Sequence, residues 1–213
     1  MGLHERITTW SGFGPLTRAD RRRWAAARTL DDLAELTAQW LEGRIASQPG
    51  YYGRCDVDED EAPGLTDTLT RLNRAGYLTD NSQAGYDGPG YDGRQWRQLA
   101  AVTGFGAQRT RDWLTASLAG TRYRILAWPC GTSACRHPGS GVPVTTVDDR
   151  PFTVFGAQLD RGTIAGELYD GCDDAAIDAV CAAWQITVYD PQPGANDLWP
   201  LLRDATDRTG QER

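Results

Sequence analysis

The stretch of sequence that decides the fold lies between positions 65 and 79 and reads Leu65-Thr66-Asp67-Thr68-Leu69-Thr70-Arg71-Leu72-Asn73-Arg74-Ala75-Gly76-Tyr77-Leu78-Thr79. Its three leucines recur at the spacing of one face of an α-helix. Gly76 follows them, and glycine is the residue that most readily takes the left-handed conformation that closes a helix. The next three residues favour a strand. The stretch therefore predicts a helix that turns at Gly76 directly into a β-strand.

Two further helices are predicted before this stretch, each with a recognisable start signal. Thr17 is a candidate N-cap with Asp20 three residues later, and Thr29 opens a second helix that ends near Gly43. The apolar residues of the second helix share one face, which predicts that this face is buried. We expect the core to include Leu33, Leu36, Trp40, Leu69, Leu72 and Trp184.

Strand patterns become frequent in the second half of the chain, at residues 123–128, 152–155 and 185–189. Helices that crowd the first half and strands that crowd the second are typical of an α+β fold. We therefore predict a helix-rich N-terminal half packed on a small mixed or antiparallel sheet from the C-terminal half. Residues 1–205 are expected to form a single domain, and residues 206–213 a polar tail.

The composition excludes several classes of function. The 213 residues carry a net charge of −7, and all 22 basic residues are arginine, so catalysis through a lysine Schiff base or a P-loop lysine is excluded. The acidic charge disfavours binding to nucleic acid or to a membrane surface. Five cysteines, an odd number, do not resemble a disulfide framework, and no apolar run is long enough to span a bilayer. We expect a cytoplasmic protein with reduced thiols.

Four stretches spread over the chain carry a resemblance to a known family. They are Trp24-Ala25-Ala26-Ala27-Arg28-Thr29, Pro49-Gly50-Tyr51-Tyr52, Leu72-Asn73-Arg74-Ala75-Gly76-Tyr77-Leu78-Thr79-Asp80-Asn81-Ser82-Gln83 and Cys181-Ala182-Ala183-Trp184-Gln185-Ile186-Thr187-Val188. In these stretches the chain resembles an uncharacterised family of proteins from actinobacteria and their phages. The resemblance implies a single conserved domain and a cytoplasmic home, and it carries over no catalytic residues.

The stretch from Asp80 to Gly93 is predicted to be an irregular, glycine-rich loop and is the leading candidate for a functional site. Its amide and hydroxyl groups, its two tyrosines and the arginines near its ends suit a polar or anionic ligand such as a nucleotide or a carboxylate. The candidate ligand-binding residues are Arg74, Asn81, Ser82, Gln83, Tyr86, Tyr91 and Arg94, and the candidate catalytic acids are Asp87 and Asp92. The alternative is an ordinary surface loop whose Asn and Asp residues form turns.

Two other stretches invite a metal interpretation. The alternating acids of residues 56–61 resemble a calcium loop but lack its glycine at the sixth position and its glutamate at the twelfth. Cys130, Cys135 and His137 offer zinc ligands within the turn-rich segment 129–144, although their spacing is not that of a zinc finger. We predict neither metal nor cofactor, and the sequence leaves a zinc site at these three residues open.

These observations predict a small-molecule-binding domain that recognises a polar or anionic ligand, and they leave open whether it catalyses a reaction. The alternative function is that of a non-catalytic protein-interaction module or a phage-related accessory protein. In that case an acidic surface with exposed Trp and Tyr residues would meet a protein partner. No nucleic-acid or membrane partner is expected, and a homodimer is left open.

Overall fold

The structure, a computed structural model, describes residues 16–51, 55, 62–130 and 141–211. Its helices are α1 (Arg18–Ala26), α2 (Leu30–Leu41), α3 (Leu65–Arg74), α4 (Gln108–Leu118), α5 (Arg161–Thr163), α6 (Asp174–Cys181) and α7 (Leu198–Gln211). One turn of π-helix, Ile164–Leu168, continues α5.

Eight strands form two four-stranded sheets. The strands are β1 (Tyr77–Gln83), β2 (Tyr86–Pro89), β3 (Gln95–Gln98), β4 (Ala101–Gly106), β5 (Arg124–Pro129), β6 (Val142–Val147), β7 (Arg150–Phe155) and β8 (Trp184–Tyr189). The first sheet has the order β1-β4-β8-β5 and the second the order β2-β3-β6-β7, and all neighbouring strands are antiparallel. The predicted α+β class is confirmed, with two antiparallel sheets where the sequence predicted one. Four of the strands precede α4, so the sheets draw on both halves of the chain.

The start signals of α1 and α2 work as predicted. The Thr17 hydroxyl accepts the backbone N–H of Asp20 at 3.1 Å, and Thr29 and Asp32 form a reciprocal capping box. The Asp20 carboxylate does not return to its own N-cap. It accepts instead the Ser47 hydroxyl at 3.1 Å and the backbone N–H of Ala46 at 3.2 Å. Asp20 therefore ties α1 to the segment that follows α2.

The first sheet is covered by apolar side chains on both faces. Tyr77 and Ile186 pack into one core cluster with α3, α4 and α7, while Leu78 and Phe105 pack into another with α1, α6 and the π-helical turn. Of the residues predicted for the core, Leu33, Trp40, Leu69 and Leu72 are buried. Leu36 and Trp184 are half-buried instead, because each packs at the edge of a cluster rather than within it.

The segment predicted as an irregular loop from Asp80 to Gly93 is largely regular in the structure, so that prediction was wrong. Strand β1 extends through Gln83, and β2 pairs with β3 from Tyr86↔Gln98 to Pro89↔Gln95. Pairing of β1 with β4 and of β2 with β3 overrides the turn-favouring local composition. The segment 129–144 likewise contains the start of β6, and α7 includes residues 206–211 of the expected tail.

Candidate functional site

A β-bulge in β1 places Asp80 outside the regular ladder. Thr79 pairs with Gly104 and Asn81 with Thr103, so Asp80 is the extra residue. Gly104 permits the close approach of the two strands, since a Cβ at this position would collide with the carbonyl oxygen of Leu78 and lie 2.8 Å from the Cα of Thr79. Because Gly104 lies opposite the bulge, β1 can bend at Asp80.

A side chain of α3 holds the strand immediately before the bulge. The Asn73 amide donates to the Thr79 hydroxyl at 2.7 Å, and its oxygen accepts the Thr79 backbone N–H at 3.1 Å. Asn73 is buried and also donates to the Leu69 carbonyl within its own helix. The stretch that predicted the helix-to-strand turn therefore also fixes the position of Asp80.

The Asp80 carboxyl lies in an environment that opposes its ionisation. Packing around the side chain removes water from it, and this desolvation raises its pKa from 3.8 to about 7. No hydrogen bond or ion pair to this carboxyl is found among the described residues. The residue as a whole is half-buried. A carboxyl with such a pKa changes its charge near neutral pH.

Tyr51 lies beside the bulge. Its hydroxyl donates to the backbone carbonyl of Asp80 at 2.7 Å, and its ring stacks on Trp40 with the ring centroids 5.7 Å apart. Burial raises the pKa of Tyr51 well above its usual value, and the charge of Asp80 adds to that rise. Tyr51 is therefore a neutral hydrogen-bonding group at physiological pH.

Tyr169 is the residue that ends the π-helical turn. It is 1% exposed, and its ring meets Phe105 edge-on at 6.4 Å. Its hydroxyl has no hydrogen-bond partner among the described residues. Burial raises the pKa of Tyr169, and the charges of Asp80 and Cys172 contribute to the rise, so each of these two groups is within electrostatic reach of Tyr169. We call Asp80, Tyr51, Tyr169 and Cys172 the Asp80 site.

A second buried polar atom without a described partner lies in the turn that leads to Tyr51. Gln48 is 1% exposed, and its side-chain oxygen Oε1 accepts no hydrogen bond from the described residues. The same turn lies against the π-helical turn, since a Cβ at Gly50 would be 3.2 Å from the Leu168 carbonyl oxygen. A buried polar atom without a partner costs about 1–3 kcal/mol, so the Tyr169 hydroxyl and Gln48 Oε1 each need an explanation.

The hairpin formed by β2 and β3 carries most of the residues that the sequence singled out, and they engage one another there. Asp87 accepts the amide of Gln95 at 2.8 Å, Arg94 donates to Asp148 at 2.9 Å, and Asp92 accepts the backbone N–H of Arg94 at 3.1 Å. The Tyr86 hydroxyl donates to a backbone carbonyl of its own strand, and Tyr91 is 67% exposed. Asp87, Asp92 and Arg94 thus already have hydrogen-bond partners in the fold.

The remaining predicted residues lie apart from the hairpin. Arg74 is on α3 and pairs with Glu42 at 2.8 Å and with Glu35 at 3.4 Å. Asn81 is exposed and Ser82 is half-buried on β1, next to the bulge. The Gln83 amide donates to the carbonyls of Leu99 and Val144 at 3.0 and 2.9 Å. Gln83 thereby links the two sheets, and the structure does not bring the predicted set together at one point.

The metal hypotheses concern residues that are for the most part outside the described ranges. Residues 56–61 lie outside them, as do Cys135 and His137. Cys130 is buried at the end of β5, where its backbone N–H donates to Ala183. Among the residues that the structure describes, no group of three or more His, Cys, Asp or Glu side chains has the geometry of a metal site.

The sequence model of one family, described as Domain of unknown function (DUF6919), matches residues 19–208. The chain belongs to the DUF6919 family. The predicted membership of an uncharacterised family is therefore confirmed, and the matched range includes the whole Asp80 site. A search of curated proteins finds no match to this DUF6919 protein. None of its described helices is both long enough and apolar enough to cross a membrane.

Sequence reasoning missed the Asp80 site although it used Asp80 as the boundary of the predicted loop. Its one local signal is an acid placed directly after the strand-forming residues Tyr77, Leu78 and Thr79. The shift in its pKa comes from burial in the fold, and the tyrosines whose pKa values it raises, Tyr51 and Tyr169, are remote in sequence. The single-sequence pattern does not connect these positions.

Proposed function

We propose that this DUF6919 protein binds a small polar molecule at the Asp80 site. The observation that carries the proposal is the fully buried Tyr169 hydroxyl, which lacks a described partner and lies within electrostatic reach of the Asp80 carboxyl. Native proteins keep such groups where a ligand or an ordered water completes the hydrogen bonding. Asp80, Tyr51 and Cys172 are half-buried, whereas Tyr169 is buried.

The location of this site favours Asp80 over the hairpin residues predicted from sequence. A ligand at the hairpin would have to displace existing ion pairs, such as Arg94 with Asp148. At the Asp80 site a ligand would supply hydrogen bonds that the described residues lack. The proposed function is therefore still the binding of a small polar molecule, as predicted from sequence. The proposed binding residue is now Asp80, the first residue of the predicted loop.

Asp80 is also the residue best suited to acid–base chemistry if the bound molecule reacts. A general acid or base works best when its pKa is near the working pH, and the pKa of Asp80 is about 7. Asp87 and Asp92, the acids predicted from sequence, are exposed on the hairpin. We propose Asp80 in place of them as the proton-transferring group.

The test is a thermal-shift screen of a metabolite panel with three proteins. These are the wild type, Asp80→Asn, and a hairpin variant that combines Asp87→Asn with Asp92→Asn. Compounds that stabilise the wild type by mass action should fail with Asp80→Asn and should still stabilise the hairpin variant. A thermal shift that is lost in the hairpin variant and kept in Asp80→Asn would mean that the ligand binds at the hairpin instead.

The alternative function, protein interaction, is favoured by one feature of the second sheet. Phe152 and Val154 on the edge strand β7 are 55% and 47% exposed. Tyr91, in the turn before β3, is exposed as well. The described tryptophans, by contrast, are buried or half-buried, so they do not supply the surface that the sequence predicted. If β7 mediates self-association, sedimentation should show a dimer that Phe152→Asp dissociates; an unchanged monomer would remove this alternative.

We place the protein in the cytoplasm, without nucleic-acid or membrane partners. Cys172 and Cys181 are free thiols, which suits a reducing compartment. The net charge of −7 supports the exclusion of polyanionic partners, because a mean negative field repels them.

A further inference from the structure

The β2-β3 hairpin is the end of a longer hairpin that spans both sheets. Strand β1 leads into β2 and β3 leads into β4, with two residues between the strands in each case. Pairing of β1 with β4 ends at Gln83↔Ala101, and pairing of β2 with β3 begins at Tyr86↔Gln98. The long hairpin therefore bends where it passes from the first sheet to the second. We call the second sheet, β2-β3-β6-β7, the arm.

The arm is attached to the first sheet through a small apolar contact. The buried residues between the two are Ala101, Val144 and Phe155, whereas the clusters around the first sheet also contain residues of the helices. The exposed large apolar side chains of the described ranges all belong to the arm and its turn, and they are Tyr86, Tyr91, Phe152 and Val154. Elements that bury few apolar groups open at a lower free energy than the core of a domain. The arm is therefore expected to open more easily than the first sheet.

The segment 190–197, which we call the strap, binds the long hairpin at its bend. The side-chain oxygen of Asn196 accepts the backbone N–H of Gly85 at 2.8 Å, and its amide donates to the Gly85 carbonyl at 3.2 Å. The backbone N–H of Gly194 donates to the Gln98 carbonyl at 3.1 Å. The contact is close, because a Cβ at Gly85 would collide with a backbone carbonyl of the strap. The strap thus holds both strands of the hairpin.

One arginine fastens both ends of the strap. The Arg122 guanidinium donates to the Asp190 carboxylate from Nε at 3.0 Å and from Nη2 at 2.7 Å, and Nη2 also donates to Asp197 at 3.0 Å. Asp190 is fully buried, and its backbone N–H donates to the Ala100 carbonyl at the bend at 2.9 Å. Without the guanidinium the buried carboxylate would lose its counter-charge, which strongly disfavours the position that the strap has in the structure.

We propose that the strap is a latch that Arg122 keeps closed, and that release of the latch lets the arm open about the bend while the first sheet stays folded. In the closed state Arg122 fixes the ends of the strap, and Asn196 fixes the hairpin at Gly85. Neither a ligand nor a contact of Asp80 is part of this latch, which is therefore independent of the proposed function.

Amide hydrogen exchange of the full chain, measured by NMR, tests whether the arm opens as a separate unit. In the wild type the amides of β3 and β6 should exchange at least about tenfold faster than those of β4 and β8. Ile177→Val shortens a buried side chain of α6 in a core cluster that includes residues of the first sheet but none of the arm. It should speed the exchange of β4 and β8 severalfold, as loss of a core methyl group does, and leave that of β3 and β6 unchanged.

Two variants open the latch itself. Asn196→Ala removes both side-chain hydrogen bonds to the hairpin and should speed the exchange of β3 and β6 about tenfold. Arg122→Gln should do so at least as strongly, and the addition of Asp190→Asn should reverse part of the effect, because the buried charge is then gone. Asn81→Ala and Arg109→Gln, at exposed positions, are the matched controls and should leave the exchange of the arm unchanged.

Equal exchange rates in both sheets of the wild type, or equal acceleration of both by Ile177→Val, would overturn the proposal, because the two sheets would then unfold together. Asn196→Ala or Arg122→Gln without effect on β3 and β6 would overturn it as well, since the strap would then not hold the arm. If Arg122→Gln does not fold, Arg122→Lys, which keeps the charge but not the paired hydrogen bonds, should still speed the exchange of the arm. An unchanged rate in that variant would overturn the latch.

Discussion

The Tyr51 hydroxyl donates a hydrogen bond of 2.7 Å to the backbone carbonyl of Asp80. This bond joins the turn after α2 to the bulge of β1, two segments 29 residues apart in the chain. Tyr51→Phe removes the donor and keeps the ring on Trp40. We expect a loss of about 1 kcal/mol in the free energy of unfolding, the usual net contribution of one hydrogen bond, measured by urea denaturation.

The hairpin supplies a matched control for Tyr51→Phe. The Tyr86 hydroxyl also donates to a backbone carbonyl, that of Pro89 at 2.8 Å, but this bond is exposed to solvent. Tyr86→Phe should therefore change the free energy of unfolding by less than about 0.5 kcal/mol. Equal losses in the two variants would show that the bond to Asp80 has no special role in holding the bulge.

Tyr169→Phe should stabilise the protein, in contrast to most substitutions in a core. The hydroxyl that it removes is buried without a described partner, so the variant no longer bears that cost of desolvation. We expect the free energy of unfolding to rise by about 1 kcal/mol in urea denaturation of the ligand-free protein.

Tyr77→Phe is the control for Tyr169→Phe, since both tyrosines are buried and only the hydroxyl of Tyr77 is satisfied. That hydroxyl donates to the Ile186 carbonyl at 2.8 Å. Its removal leaves a buried carbonyl with one donor fewer and should cost about 1–3 kcal/mol. If Tyr169→Phe loses as much stability as Tyr77→Phe, the Tyr169 hydroxyl has a partner in the folded protein.

Leu33 and Leu36 lie on the same helix and test how deeply each face of α2 is buried. Leu33 is fully buried, whereas Leu36 is half-buried. Leu33→Ala should cost about 2–5 kcal/mol through lost burial and a new cavity, as is usual for core leucines. Leu36→Ala should cost less than half as much, again by urea denaturation. The opposite order would mean that α2 packs through its other face.

Local sequence patterns predicted those parts of the fold that depend on local physics. The leucine spacing and Gly76 predicted α3 and its turn into β1, because helix periodicity and the left-handed conformation at Gly76, with φ of 90°, are properties of a few adjacent residues. Strand β2 was missed because its glycine-rich composition favours turns and lacks the apolar alternation of a strand, although it pairs with the adjacent strand β3 as a hairpin.

The Asp80 site was missed for a related reason. The pKa shift of Asp80 depends on how much water the fold removes from its carboxyl, and that burial is a property of the folded chain rather than of adjacent residues. The sequence shows the charge of Asp80 but not its surroundings. The exposed acids Asp87 and Asp92 looked equally suitable for catalysis until the packing distinguished them.

The protein should contain no stoichiometric zinc. The described ranges hold no cluster of potential ligands, and the spacing of Cys130, Cys135 and His137 is not that of a zinc finger. Elemental analysis of protein purified without chelator should find zinc well below one equivalent. Near-stoichiometric zinc that disappears in Cys130→Ser would establish a metal site in this segment.

The raised pKa of Asp80 makes the stability of the native protein depend on pH in a defined direction. In the unfolded chain the carboxyl has a pKa near 3.8, whereas in the fold it is about 7. Between these values the native state keeps a proton that the unfolded state has lost. The free energy of unfolding contributed by this group therefore falls as pH rises, by up to about 1.4 kcal/mol per pH unit, and levels off above about 7.

Asp80→Asn removes this titration while keeping the size and shape of the side chain. Urea denaturation of both proteins at intervals between about pH 5 and about pH 8 should show the variant gaining stability relative to the wild type as pH rises, with the difference constant above about pH 7. Asp87→Asn, at an exposed position, should run parallel to the wild type. A stability difference between Asp80→Asn and the wild type that does not change with pH would mean that the Asp80 carboxyl is solvated in the native protein, and its proposed acid–base role would lose its physical basis.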